Sequence, residues 1–142
     1  MTANGYLLDT NVISETRKTR PARQITAFFE QVRARDLYVS VLTLGEIHKG
    51  AAAKETADPM FAARLRAWAY GIETEFGDHV LSVTPDVARQ WGLLSAGRSL
   101  PVIDGLIAAT AMANGLTVVT RNVREFSSTS ARLLNPWDAA TT

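Results

Sequence analysis

No cysteine occurs anywhere in the 142 residues. That excludes disulfides and thiolate metal sites, and it makes a reducing cytoplasm the expected setting. An excess of one charge is also missing: 15 basic and 14 acidic residues leave a net +1. The chain therefore lacks the overall basicity of a typical nucleic-acid-binding domain, although a balanced total leaves room for a basic rim around an acidic pocket. Lysine is scarce, with only Lys18, Lys49 and Lys54 against twelve arginines. Arginine suits bidentate phosphate contacts and solvated helix faces alike. Long apolar runs are absent too. The most apolar stretch, Val102 to Val119, is broken by Asp104, Gly105, Asn114 and Gly115, which reads as a buried helix followed by a strand rather than a membrane span. No basic region followed by an apolar core opens the chain, so a leader peptide is not expected.

What is present alternates in period. Tyr6 to Leu8 is a short apolar strand, followed by a helix starting near Thr10 or Asn11, both good cap residues. Ile25, Phe28, Phe29 and Val32 repeat with helical spacing. "LYVSVL" (37–42) is a β-branched and aromatic strand, with a helix expected from about Thr43 to Lys54. Pro59 opens a longer helix with Phe61, Leu65, Trp68, Ile72 and Phe76 on one face. "HVLSV" (79–83) is a third strand, and Thr84-Pro85 starts a helix with proline in its first turn. "IDGLIAATAMAN" is a helix closed by Gly115, "LTVV" (116–119) a strand, and "RLL" (132–134) a last edge strand. Strand and helix alternate without repeats or a linker. The expected fold is α/β, a three-layer sandwich with a mostly parallel central sheet flanked by helices. A single domain is expected over 1–138, with a frayed tail at 139–142.

Three acids sit in apolar or small-residue surroundings where a helix begins: Asp9, Glu46 in "VLTLGEI", and Asp104 in "LPVIDGLIAATA". A fourth such position, after "TVVTR", holds Asn122, with Glu125 three residues on. Singly, each has a structural explanation. Thr43-x-x-Glu46 and Asn122-x-x-Glu125 match capping boxes, and Asp9 and Asp104 suit a first turn. Together they carry more weight. In an open parallel sheet the loops leaving the strand ends meet on one side, and carboxylates entering a core need a partner or a cation. No Lys or Arg lies within a turn of Asp9 or Asp104.

"LLDTNVISE", "TLGEI", "DGLIAATA" and "VVTRNVREF", in this order and spacing, resemble the PIN-domain ribonucleases. The similarity is to the VapC-type toxins of toxin–antitoxin pairs, with the closing "NPW" like the FitB-like subgroup. The resemblance implies a PIN-like fold and an endoribonuclease whose catalytic positions fall on Asp9, Glu46, Asp104 and Asn122. Asn122 stands where the family has its fourth acid, so this chain departs from the full quartet. The polar residues flanking the family's pocket match Thr10 and Thr120, with Asn11 beside them, and Glu125 is a substitute acid or only a cap. The resemblance also implies an RNA substrate, a small antitoxin covering the pocket, and a homodimer that assembles with antitoxin into a heterotetramer or larger complex.

Converging carboxylates repel one another, so without a cation at least one should hold a proton and the group should titrate together. Oxygen-only ligands with room for water favour Mg²⁺, or Mn²⁺ in its place. One ion held by Asp9 and Asp104, with Glu46 bound directly or through water, is the expectation. The run Arg17, Lys18, Arg20 and Arg23 either contacts RNA phosphates or is a solvated loop. His48, on the far side of the Glu46 helix, and His79 have no expected catalytic role, and Trp68 and Trp91 read as core or interface. Two other functions compete: a partner-binding domain without activity, for which Asn122 is the argument, and a phosphatase of the haloacid dehalogenase type, which needs a second Asp where Asn11 stands.

Overall fold

A computed structural model describes residues 5–139, and the tail expected over 139–142 lies outside them beyond Ala139. Five strands, β1 (Tyr6–Leu8), β2 (Leu37–Ser40), β3 (Val80–Leu81), β4 (Thr117–Val119) and β5 (Arg132–Leu134), form one sheet in the order β3-β2-β1-β4-β5. Every pairing is parallel. The expected "mostly parallel" sheet is thus wholly parallel among the described residues, because every strand after β1 is reached by a helical crossover and none by a hairpin.

Alternate side chains of these short strands enter opposite layers, as the pleat requires. Leu8, Val39 and Val119 join a core with Val12, Ile13, Phe28, Leu44, Ile47, Ala69 and Ile72. These helical residues come from α1 (Thr10–Thr16), α2 (Arg23–Gln31), α3 (Val41–Lys54) and α4 (Pro59–Phe76). Leu7 and Val118 face the other way, into a core with Val87, Leu94, Ile107, Ala108, Ala109 and Phe126. That layer is built by α5 (Pro85–Ser95), α6 (Val102–Asn114) and α7 (Val123–Phe126). A terminal turn of helix, α8 (Pro136–Ala139), follows β5.

Local signals set most helix limits. Asp58 and Thr84 cap α4 and α5, accepting from Phe61 N at 3.1 Å and Val87 N at 3.2 Å, each with proline at the start of the helix. Gly115 closes α6 at φ 66°, a left-handed position where glycine carries no Cβ penalty. Two boundaries differ clearly from the sequence expectation: the strand expected over 79–83 is only Val80–Leu81, with His79 in a 3-10 turn before it, and α3 begins earlier. Ser40 ends β2 and caps α3, accepting from Leu42 N at 2.9 Å, so the helix starts at Val41 rather than Thr43. Thr43 is therefore a buried residue inside the helix, and the Thr43–Glu46 capping box does not form.

Gly105 brings α5 against the first turn of α6. A Cβ there would stand 3.2 Å from both Cδ1 and Nε1 of Trp91, so any larger side chain would push the indole away and shift the turn that carries Asp104.

Candidate active site

Strand order reverses around β1: β2 lies on one side and β4 on the other. The crevice beyond the carboxyl ends of β1 and β4 is the place where such a sheet leaves room for a ligand. Asp9 follows β1 directly, with its N–H donating to Val119 O at 2.9 Å. Thr120 follows β4, with its N–H donating to Leu134 O at 3.0 Å. Ladder-like hydrogen bonds thus continue one residue past the strands and fix both side chains.

Asp9 is 6% exposed, and its oxygens are satisfied by neutral donors. Oδ1 accepts from Thr10 N at 2.8 Å, and Oδ2 accepts from the Thr120 hydroxyl at 2.8 Å and, at a longer 3.4 Å, from Asn11 Nδ2. Asp9 rather than Thr10 or Asn11 is thus the cap of α1. The cap and candidate-ligand readings are not alternatives, since one oxygen anchors the helix while the carboxylate remains at the pocket. Asn11 ties the two strand ends together, donating to Thr120 Oγ1 at 3.4 Å and accepting from Arg121 N at 3.3 Å.

Glu46 approaches from α3. The Thr10 hydroxyl donates to its Oε1 at 2.6 Å and stands 3.3 Å from the Thr43 hydroxyl. Asp104 enters from the first turn of α6, three residues beyond its start-flanking Pro101, and makes no capping bond there. Asp9, Glu46, Asp104 and Asn122 line a common pocket of about 440 Å³ together with Thr10, Asn11 and Ser14. Asn122 precedes α7 but its side chain caps nothing; its N–H donates to Thr120 Oγ1 at 3.0 Å. The Asn122–Glu125 capping box therefore does not form either. Glu125 instead stands near enough to Asp104 to push its carboxyl up.

Burial pushes the Asp9 carboxyl up, against the hydrogen bonds from Thr120 and Thr10 and with help from the charges of Glu46 and Glu125. Asp104 is pushed up to about 6, first by burial, then by the charges of Asp9, Glu125 and Glu46. The pocket thus holds carboxylates that resist joint ionisation without a cation.

The donors that line it are all oxygen or amide, which suits a hard divalent ion. Among the described residues no group of three or more His, Cys, Asp or Glu side chains is placed to hold a metal ion by itself. The oxygen donors that line the pocket are of the kind a hard divalent cation takes, with water supplying further ligands.

A model of the PIN domain matches residues 6–131. The chain belongs to the PIN-domain family. This PIN domain is 33% identical over 141 residues to a protein of Sinorhizobium fredii named VapC ribonuclease Y4jK, covering 94% of this chain and 99% of the relative. Among solved structures it resembles FitAcB from Neisseria gonorrhoeae, with TM-score 0.78 and 30% identity over 94% of this chain and 99% of that one. DNA-bound VapBC from Salmonella typhimurium gives TM-score 0.77 and 28% identity over 96% and 99%. The phosphatase alternative drops out with the family.

Sequence reasoning missed three residues around this PIN-domain pocket. Ser14 lines it, and helical spacing from Thr10 would have placed it there. Thr43 was hidden by the misplaced start of α3. Glu15 is buried, and its carboxylate accepts from Ala22 N at 2.8 Å and Lys18 Nζ at 2.9 Å. The Lys18 hydrogen bond, followed by that from Ala22, holds it below the usual carboxylate range. The basic run is not one unit. All four are exposed, but Lys18 pairs with Glu15 and Arg17 lies over aromatic rings. His48 meets Tyr70 edge-on, and His79 stacks on Tyr38 at 4.1 Å. Neither histidine lines the acidic pocket.

Thr120 is fully buried and its hydroxyl proton goes to Asp9. In Thr120→Val the carboxylate loses that donor, so its pKa should rise further and its oxygens should turn. The expected result is a loss of about 10- to 100-fold in divalent-ion affinity or activity, measured by Mn²⁺ titration of the folded variant. Unchanged affinity would remove Thr120 from the site.

Proposed function

We propose that this chain is a divalent-metal-dependent endoribonuclease, the toxin of a toxin–antitoxin pair, cleaving RNA phosphodiesters at the pocket of Asp9, Glu46, Asp104 and Asn122. The observation that carries it is the meeting of those positions at the switch point of a parallel sheet in a chain related to named VapC ribonucleases over nearly its whole length. Mg²⁺ is the proposed ion, with Mn²⁺ as a substitute, held mainly by Asp9 and Asp104 with Glu46 directly or through water. When bound, such an ion lowers the pKa of a coordinated water and neutralises charge building on the phosphoryl oxygens.

The chain's own residues do the positioning. Thr10 N and the Thr120 hydroxyl hold the Asp9 carboxylate in one orientation before any ligand arrives, so little reorganisation remains for binding. The Thr10 hydroxyl aims Glu46. Asp104 would serve in its ionised form, its proton passing to solvent, against the burial and neighbouring carboxylates that push its carboxyl up. Asn122 leaves its side of the pocket neutral, which lowers repulsion toward an incoming phosphate at the expense of ion affinity. No serine or histidine nucleophile is required.

The antitoxin partner is proposed from the solved relatives, which include FitAcB and VapBC, and a homodimer or larger assembly with it is part of the same proposal. No helix among the described residues is long and apolar enough to cross a membrane. Induction of the chain in a bacterial host, with sequencing of new RNA 5′ ends, tests the reading. Discrete new ends and arrested growth are expected. Unchanged RNA together with a purified protein inert toward RNA in Mg²⁺ would favour the partner-binding alternative that Asn122 raises.

A further inference from the structure

A second depression adjoins the carboxylates. It is a groove of about 470 Å³ between α1, α3 and α4, and it shares Thr10, Ser14 and Glu46 with the acidic pocket. Its remaining lining is the basic pair Arg17 and Lys18 and the apolar Ile47, Gly50, Leu65 and Trp68. The Arg17 guanidinium lies 4.8 Å over the Trp68 ring and 5.9 Å from the Phe61 centroid. Among the described residues no carboxylate pairs with it.

An arginine stacked on an aromatic face is held flat with its N–H edge unspent, and that edge matches a phosphate in a bidentate fork. Its loop is also anchored. Buried Glu15 accepts from Ala22 N and from Lys18 Nζ, which fixes the chain just after Arg17 to the core. Arg20 and Arg23, from the same basic run, do not line the groove.

Building on the ribonuclease reading, we propose that this groove is a substrate subsite. It would seat the nucleotide next to the cleaved bond, with Arg17 gripping its phosphate and Trp68 keeping the guanidinium in place. Lys18 contributes less because Glu15 already pairs with it. An RNA strand is favoured over a protein segment because the groove offers an unpaired, pre-oriented cation directly beside the pocket where a phosphodiester must lie. Arg17 is a binding residue here, while Trp68 and Glu15 are positioning residues.

The test uses the full chain and a non-cleavable 2′-O-methyl oligoribonucleotide of about ten nucleotides, followed by fluorescence anisotropy across a salt series. Arg17→Gln should weaken binding about tenfold and reduce the slope of log affinity against log salt by about 0.7, the value for one phosphate contact on a single strand. Arg17→Lys should keep the slope with a smaller affinity loss, and Arg20→Gln should match wild type. Melting temperatures measured alongside separate a folding defect from a lost contact, and where Arg17→Gln is unstable Arg17→Met, which keeps the apolar stem and removes the charge, should show the same loss of slope. Wild-type cleavage with unchanged affinity and slope in Arg17→Gln overturns the subsite alone. Loss of protection by a co-expressed cognate antitoxin, with RNA binding intact, would assign the groove to protein and also overturn it. A wild-type chain that neither binds nor cleaves RNA removes the ribonuclease reading itself.

Discussion

Asp104→Asn is expected to lower RNA cleavage by about 10²- to 10⁴-fold while making the metal-free protein more stable at pH 7. The first effect follows from removing a charged ligand oxygen at a site where ion and phosphate charge must balance, a change of several kcal/mol in the barrier. The second follows from the raised pKa. Asp104 sits near 6 instead of 3.8, so the folded state holds its proton more tightly than the unfolded chain. Its contribution to stability is complete below about pH 4 and is lost as pH rises through about 6. In a dry site that displacement would correspond to about 3 kcal/mol. Asp104 is only partly buried, and water screens the repulsion, so about 1 kcal/mol, or about 3 °C in Tm, is the expected gain. Thermal melts in chelator from pH 4 to 7.5 should show wild type and variant together at the acid end and separating above pH 5. Activity within tenfold of wild type, or a variant less stable at pH 7, would defeat the assignment. Stability given up for a repulsive cluster is what a functional site, and not a set of caps, predicts.

The same contrast explains what could be read from sequence. Asp9 after Leu7-Leu8 and Asp104 before a buried helix were visible because a carboxylate in apolar company is locally anomalous. The layers followed from apolar period alone, with Leu7 and Leu8 reaching different cores. The start of α3 was misjudged because Val41 and Leu42 suit a strand as well as a helix, and only the Ser40 hydroxyl on Leu42 N decides between them. Once that boundary moved, Thr43 became a buried neighbour of Thr10 across 33 positions, a pairing that no local rule contains. Glu125 was hard for the opposite reason. Its spacing from Asn122 has a ready local explanation, yet its carboxyl meets Asp104, a residue of another helix. Arg17 looked like one member of a charged run. Its distinction from Arg20 is tertiary, since Phe61 and Trp68 of α4 come to meet it.

Removal and return of the ion should produce the other large effect. Mn²⁺ titration without RNA is expected to find one tight site per chain, because Asn122 withholds the fourth charge that a second ion would need. Asp104 must release its proton to serve as a ligand, and its carboxyl is pushed up to about 6. Affinity should therefore fall toward tenfold for each pH unit below about 6, with about half a proton released per ion bound near that pH and close to one well below it. Calorimetry in two buffers of different ionisation enthalpy measures that proton directly. Saturation at a hundred times Kd should stabilise the fold by about 2.7 kcal/mol, and chelator should reverse both this gain and RNA cleavage. Asp104→Asn should bind the ion weakly and with little pH dependence, which ties the proton to that carboxyl and not to Glu125. Two tight sites in the free protein would mean that Asn122 or Glu125 supplies a full ligand set. An affinity independent of pH would mean that the ion sits away from Asp9 and Asp104, leaving their repulsion without a function.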